Sequence, residues 1–180
     1  MTITGSATGS APSFDASAAP WPLYAEAVVE LILDGQHLVL TPSEGTEPGP
    51  EVAAFAAFVP PVWVLTAGDP YPLELEPSEN AARMERLCVE LDAHGLQHDP
   101  ALGRSADGTA SERSRAVRGA DRPTVLGIAA RYDQLAVYEI ADRIACVDVA
   151  SASIVTSRAY RLRSAPAGSD ALIGPTGWRG

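Results

Sequence analysis

Residues 63–91 read WVLTAGDPYPLELEPSENAARMERLCVEL, and the assignment of the whole chain turns on them. The apolar run at 62–66 is too short for a helix and reads as a central strand buried on both faces. A turn rich in Gly, Asp and Pro follows, then a polar loop. Ser78 is a good helix N-cap, with Pro77 before it and Glu79 in the first turn. The helix predicted from there runs to about His94, where Gly95 is a natural stop. Ala81, Met84, Leu87, Cys88 and Leu91 form an apolar stripe at helical spacing. A strand end and a helix N-terminus therefore meet at one cluster of polar side chains.

Outward from this stretch, residues 24–41 predict a hairpin, because Asp34 and Gly35 between apolar runs suit two turn positions of positive φ. Residues 51–58 read as a short helix ended by Pro60 and Pro61. Residues 96–101 suggest a short strand, 103–112 a loop and 114–117 another strand. Asp121 opens a helix carrying Val125, Leu126, Ile128 and Ala129. Residues 135–140 and 144–149 predict a second hairpin, and 154–155 with 159–162 a last edge strand. Residues 1–20 and 164–180 are rich in Ser, Ala, Gly and Pro and predict a disordered start and a flexible tail around one domain at 21–163. The order predicts an α+β fold: a two-layer sandwich of a mixed, mainly antiparallel sheet with about three helices.

The chain has 180 residues, of which 46% are hydrophobic, enough to fill a core. Its net charge of −10 disfavours nucleic acid and anionic membranes as partners. The charge is uneven. Residues 1–99 hold 15 acids and 2 arginines, residues 100–180 hold 8 acids and 11 arginines, and there is no lysine. That predicts ion pairs between the halves or, alternatively, a basic ligand-binding face. Cys88 and Cys146 lie in apolar patterns and read as buried free thiols of a reducing compartment. With no apolar run of membrane-spanning length and no cationic leader, a cytoplasmic protein is expected, a monomer or a weak homodimer through an edge strand of the C-terminal hairpin.

No phosphate-binding glycine loop, CxxC or HExxH is present, and no cofactor is expected. His94 and His98 flank Gly95 and so share no helical face, which favours loop histidines over metal ligands. Neither cysteine has an electropositive, exposed setting by sequence, and no G-x-S-x-G elbow occurs. What remains is a polar constellation: Thr66, Asp69, Asn80, Arg83, Glu112 and Gln134. Strand ends and helix N-termini are places where open sheets bind ligands and anions. The same residues also suit a network that fixes loops, with Asp69 closing a turn and Arg83 paired with Glu79 or Glu112.

Four stretches carry a family likeness. Thr66, Ala67, Asp69 and Pro70 end the strand. Ser78, Glu79 and Asn80, with Arg83 one turn on, open the helix. Asp107, Gly108, Glu112 and Ser114 follow, and then Arg131, Tyr132, Gln134 and Ala136. Across residues 24–150 the chain resembles a bacterial domain-of-unknown-function family, number 3293. Asp69 stands where that family has Asn, Ala110 where it has Trp, Asp133 where it has Gly and Leu135 where it has Asn. The resemblance implies a shared fold and a place to look, and no activity. The expected function is a non-enzymatic module that binds a protein partner or a small ligand. The alternative is an enzyme acting on a small anionic substrate. Asp69 or Glu112 would be its general base, and Arg83 with the helix N-terminus its anion clamp.

Overall fold

A computed structural model describes residues 19–45, 50–58, 61–71 and 73–164. The terminal segments expected to be disordered or flexible fall almost wholly outside these residues. The chain order is α1 (Trp21–Glu26), β1 (Val28–Leu33), β2 (Gln36–Ser43), α2 (Pro50–Phe58), β3 (Val62–Leu65), α3 (Pro77–Ala93), β4 (Gln97–Arg104), β5 (Ser111–Arg118), α4 (Arg122–Arg131), β6 (Ala136–Ile140), β7 (Ile144–Asp148) and β8 (Ile154–Ser164).

The eight strands form a closed barrel in the order β1-β2-β8-β7-β6-β3-β5-β4, with β4 returning to β1. Every neighbouring pair is antiparallel. The expected two-layer α+β sandwich is therefore incorrect, and the described helices number four rather than about three. Two elements account for the difference. The strands flanking the expected loop at 103–112 are longer than expected and leave only 105–110 as the turn: β4 and β5 form a hairpin paired from Gln97↔Arg118 to Arg104↔Ser111. The supposed ragged last strand is one strand of 11 residues that pairs β2 along Leu38↔Ser164 to Ser43↔Ala159. With β4 on one side and β8 on the other, the β1–β2 hairpin closes the ring. The C-terminal hairpin has no free edge either, since β6 lies beside β3 and β7 beside β8.

Local signals explain several elements. Asp34 and Gly35 have φ of 49° and 78°, the left-handed pair that a tight hairpin turn needs. Asp121 caps α4 by accepting the Thr124 N–H at 2.9 Å. In α3 the N-cap is Glu76 rather than the expected Ser78, with Pro77 at the first helical position, where no backbone donor is lost. At its far end Gly95, φ 67°, ends the helix, and the Leu96 N–H returns to Leu91 O at 3.0 Å.

Alternation along the strands divides the apolar residues into two layers. Val29, Leu31, Leu38, Leu40, Val62, Val64, Ala101, Ala116, Ile140 and Ile144 fill the barrel, joined by Val52 of α2. Trp63, Leu65, Val117, Val137 and Val147 face outward, beneath Met84, Leu87 and Leu91 of α3 and Val125 and Ile128 of α4. All four residues of β3 are buried because one face meets the barrel interior and the other meets these helices. Trp63 also donates its indole N–H to Ala120 O at 3.1 Å. The uneven charge resolves within the molecule. Arg104–Glu30, Arg118–Asp34, Arg118–Asp99, Arg131–Glu90 and Arg158–Glu26 each join an arginine of the second half to an acid of the first. No helix among the described residues is long and apolar enough to cross a membrane.

Leu40 is fully buried inside the barrel. Leu40→Ala is expected to lower the unfolding free energy by about 2–5 kcal/mol, read by urea denaturation. A loss below about 1 kcal/mol would show that β2 does not line a packed interior.

Candidate functional site

We name the end of the barrel where β3 finishes its upper end. β5 begins there, opposite the end of β4 (Arg104↔Ser111), and β1 begins beside that same end of β4 (Val28↔Arg104). The segment 66–69 leaves β3 at this rim and is held by side chains from α3 and from the turn after α4. Thr66 Oγ donates to Arg113 O at 2.8 Å and accepts the Gly68 N–H at 3.0 Å. Asn80 Oδ1 accepts the Asp69 N–H at 2.8 Å, while Asn80 Nδ2 donates to Asp69 Oδ1 at 2.7 Å. Asp69 Oδ1 also accepts the Leu75 N–H at 2.8 Å, closing the loop. Arg83 donates through Nε to Ala67 O and through Nη2 to Tyr132 O, each at 2.5 Å. Gln134 Nε2 donates to Gly68 O at 2.7 Å.

Four of the six sequence-derived residues are thus fasteners. Asp69, Asn80, Arg83 and Gln134 tie the segment 67–69 to α3 and to the turn at 132–134. Arg83 pairs with neither Glu79 nor Glu112 but with backbone carbonyls, one of them at the C-terminal end of α4, where a cation is favoured. Two family departures also find a cause here. Asp69 and Asp133 have φ of 28° and 55°, in the left-handed region that Asn, Asp and Gly tolerate. At each position Asp is therefore an admissible replacement for the family residue.

Glu112 is different. It lies on the inward face of β5, opposite Gly103. A Cβ placed on Gly68 would lie 3.4 Å from Thr66 Oγ, 3.5 Å from Asn80 Oδ1 and 3.5 Å from Glu112 Oε1. Three oxygens therefore converge on a space that glycine leaves open. Burial among protein atoms, then the like charge of Asp69, push the Glu112 carboxyl up to about 7, against a lowering by the Thr66 hydroxyl. The residue nevertheless keeps an exposed surface. The carboxylate is thus crowded by protein and still open to water.

Three further inward groups share this end, and the sequence reading did not single them out as site residues. Tyr138 and Cys146 are paired across β6 and β7. Tyr24 of α1 places its ring 6.2 Å from that of Tyr138, whose hydroxyl donates to Tyr24 O at 3.0 Å. Burial, with smaller contributions from Glu112 and Cys146, raises the proton affinity of both tyrosines. Burial and the nearby Asp148 push the Cys146 thiol up to about 12, so it is a protonated, inert group. Cys88 is only half-buried and accepts the Arg115 Nε–H at 3.0 Å. Period-2 alternation could have put Tyr138 and Cys146 on one face. It could not have shown that this face is the inside of a barrel that Glu112 also enters.

Two outcomes follow. Arg83→Met should cost about 1.5–3 kcal/mol in chemical denaturation, the range for hydrogen bonds made by a charged donor; a neutral change would mean the two carbonyls are satisfied without it. Glu112 binds its proton more tightly folded than unfolded, so between about 4.5 and 7 the folded state carries more protons and stability falls as pH rises. Against Glu112→Gln, the wild-type melting temperature should therefore drop across that interval, and parallel curves would refute the raised affinity.

No curated protein and no solved structure matches the chain. Residues 65–137, which hold all four motif stretches, match the family model described as protein of unknown function (DUF3293). Over this segment, less than half of its length, the chain is similar to that family of unknown function, the one its motifs resemble.

Proposed function

We propose that the chain is a non-enzymatic binding barrel for a small polar ligand, with the site at the upper mouth around Gly68, Glu112 and Tyr24. The observation that carries this reading is Glu112: a carboxylate crowded by protein yet open to water, one of three oxygens that converge on the space over Gly68. Small eight-stranded barrels have room for side chains or one small ligand, and here the middle of the barrel is already filled by Leu31, Leu40 and Val64. The mouth is the part left for a ligand. The fasteners then serve as a second layer that holds the oxygens in place. An anionic ligand gains little support, because the guanidinium meant to clamp it donates to Ala67 O and Tyr132 O. The two free cysteines and the net charge of −10 support a cytoplasmic protein that binds neither nucleic acid nor membrane.

One observation favours a second reading. A carboxyl raised to about 7 is matched to proton transfer at neutral pH, so Glu112 would suit a general base. In that enzyme Tyr24 would orient the substrate, and Asp69, committed to Leu75 and Asn80, would not be the base.

A thermal-shift screen of small polar metabolites on wild type, Gly68→Ala and Glu112→Gln separates these readings. The added methyl of Gly68→Ala makes contacts of 3.4–3.5 Å, which the fold accommodates, and it fills the open space. A mouth ligand should raise the melting temperature of wild type and not of Gly68→Ala. Hits that stabilise both equally would place binding elsewhere. Turnover of a hit that disappears in Glu112→Gln would favour the enzyme.

A further inference from the structure

α1 is attached differently from the rest of the barrel. Each strand is paired on both sides, whereas no backbone hydrogen bond joins α1 to a strand among the described residues. The backbone donors at its start stay local: the Trp21 N–H meets Ala19 O and the Leu23 N–H meets Pro20 O, each at 2.9 Å. A helix of 6 residues is too short to hold itself in water. Side-chain contacts therefore keep α1 in place.

Those contacts lie toward the barrel. The Tyr138 hydroxyl donates to Tyr24 O at 3.0 Å. The Tyr24 ring lies 6.2 Å from that of Tyr138 and 5.8 Å from that of Trp21, centroid to centroid. Ala25 is buried. Arg158 reaches Glu26 at 2.9 Å, but both side chains are exposed, and such pairs hold little. Away from the barrel, Pro22 and Leu23 face water. A segment held by side chains at one face, without ladder hydrogen bonds, opens more readily than strands in a closed ring.

What α1 covers is part of the barrel interior. Tyr138 and Cys146 are inward neighbours across β6 and β7. Cys146 has no exposed surface, and Tyr24 stands near enough for the two groups to act on each other electrostatically. α1 also lies against β8, the strand beside β7. Ala27 alone separates α1 from β1, in extended backbone with φ −64° and ψ 137°. A few residues at an element's end are enough to absorb a swing of this kind.

We infer that α1 is a latch: it swings about Ala27 and uncovers Tyr138 and Cys146 while the ring of strands stays closed. The inference rests on the contacts of α1 and not on the mouth binding a ligand. Opening breaks the Tyr138–Tyr24 hydrogen bond, the contact between their rings and the Arg158–Glu26 pair. It leaves the pairing of β1 with β4, which begins at Val28↔Arg104, intact.

The two cysteines make the motion measurable. The chain has no lysine, so trypsin cuts at arginine alone and leaves Cys88 in the peptide 87–104 and Cys146 in the peptide 144–158. The full chain is alkylated with iodoacetamide at about pH 8 in a series of low urea concentrations, and the two peptides are quantified by mass spectrometry. In wild type the Cys146 rate should be nearly flat below the unfolding transition, because opening α1 exposes little surface. Tyr138→Phe keeps the ring and removes the donor, and should raise that rate about threefold or more. Tyr24→Ala removes the ring contact and should raise it about tenfold or more. Cys88, on α3 outside the barrel, should react at its wild-type rate in both variants, which shows that neither acts by unfolding the chain. A wild-type Cys146 rate that climbs from the first addition of urea with the slope of global unfolding overturns the latch. So does a Cys146 rate that either variant leaves unchanged, or one that Cys88 follows.

Discussion

Closure of the strand ring is the constraint from which the other features follow. β1 pairs with β2 and β4, and β2 with β1 and β8, so the first hairpin of the chain joins the middle to the end. Closure supplies backbone partners along both sides of every strand and removes the edges that invite pairing with another chain. It also sorts the side chains. One strand face becomes an enclosed interior, and the other is either roofed by α3 and α4 or left to water. The ion pairs Arg104–Glu30 and Arg158–Glu26 span joins between distant parts of the chain and match an arginine of the second half to an acid of the first.

The upper end divides its work between two sets of residues. Arg83, Asn80, Asp69 and Gln134 spend their hydrogen-bonding capacity on the backbone at 67–69, 75 and 132. Buried or half-buried polar groups are costly unless satisfied, and these are satisfied by one another and by the chain. Glu112 has no such partner set. Its carboxylate meets the Thr66 hydroxyl and the charge of Asp69, and its proton affinity rises accordingly. A residue with unspent capacity is a better ligand-binding candidate than one with its donors committed, even though both stood out equally in the sequence.

Positive φ explains why Asp can stand at two of the motif positions. Asp69, in the fastened segment, and Asp133, in the turn after α4, occupy left-handed backbone. The requirement there is conformational, and Asn, Gly or Asp can meet it. Gly68 meets a different requirement, since its φ is ordinary but the space beside it is shared by three oxygens.

The sequence by itself determined most of the local structure. The Asp34 and Gly35 turn, the doubly buried strand at 62–65, the Asp121 cap, the stop at Gly95 and the cluster around 66–69 all follow from short-range rules of backbone conformation, capping and periodicity. The residues of the polar cluster were legible too, because they sit at the ends of readable elements. Only the tertiary structure decided that the sheet closes, that β4 and β5 extend to a turn at 105–110, that Arg83 is a fastener and that Tyr24, Tyr138, Cys146 and Glu112 come near one another. These depend on pairings between residues far apart in the chain, Leu38 with Ser164 or Val28 with Arg104. Alternation tells which residues share a face of a strand; it carries no information about what that face meets, because the partner strand is chosen by the fold as a whole.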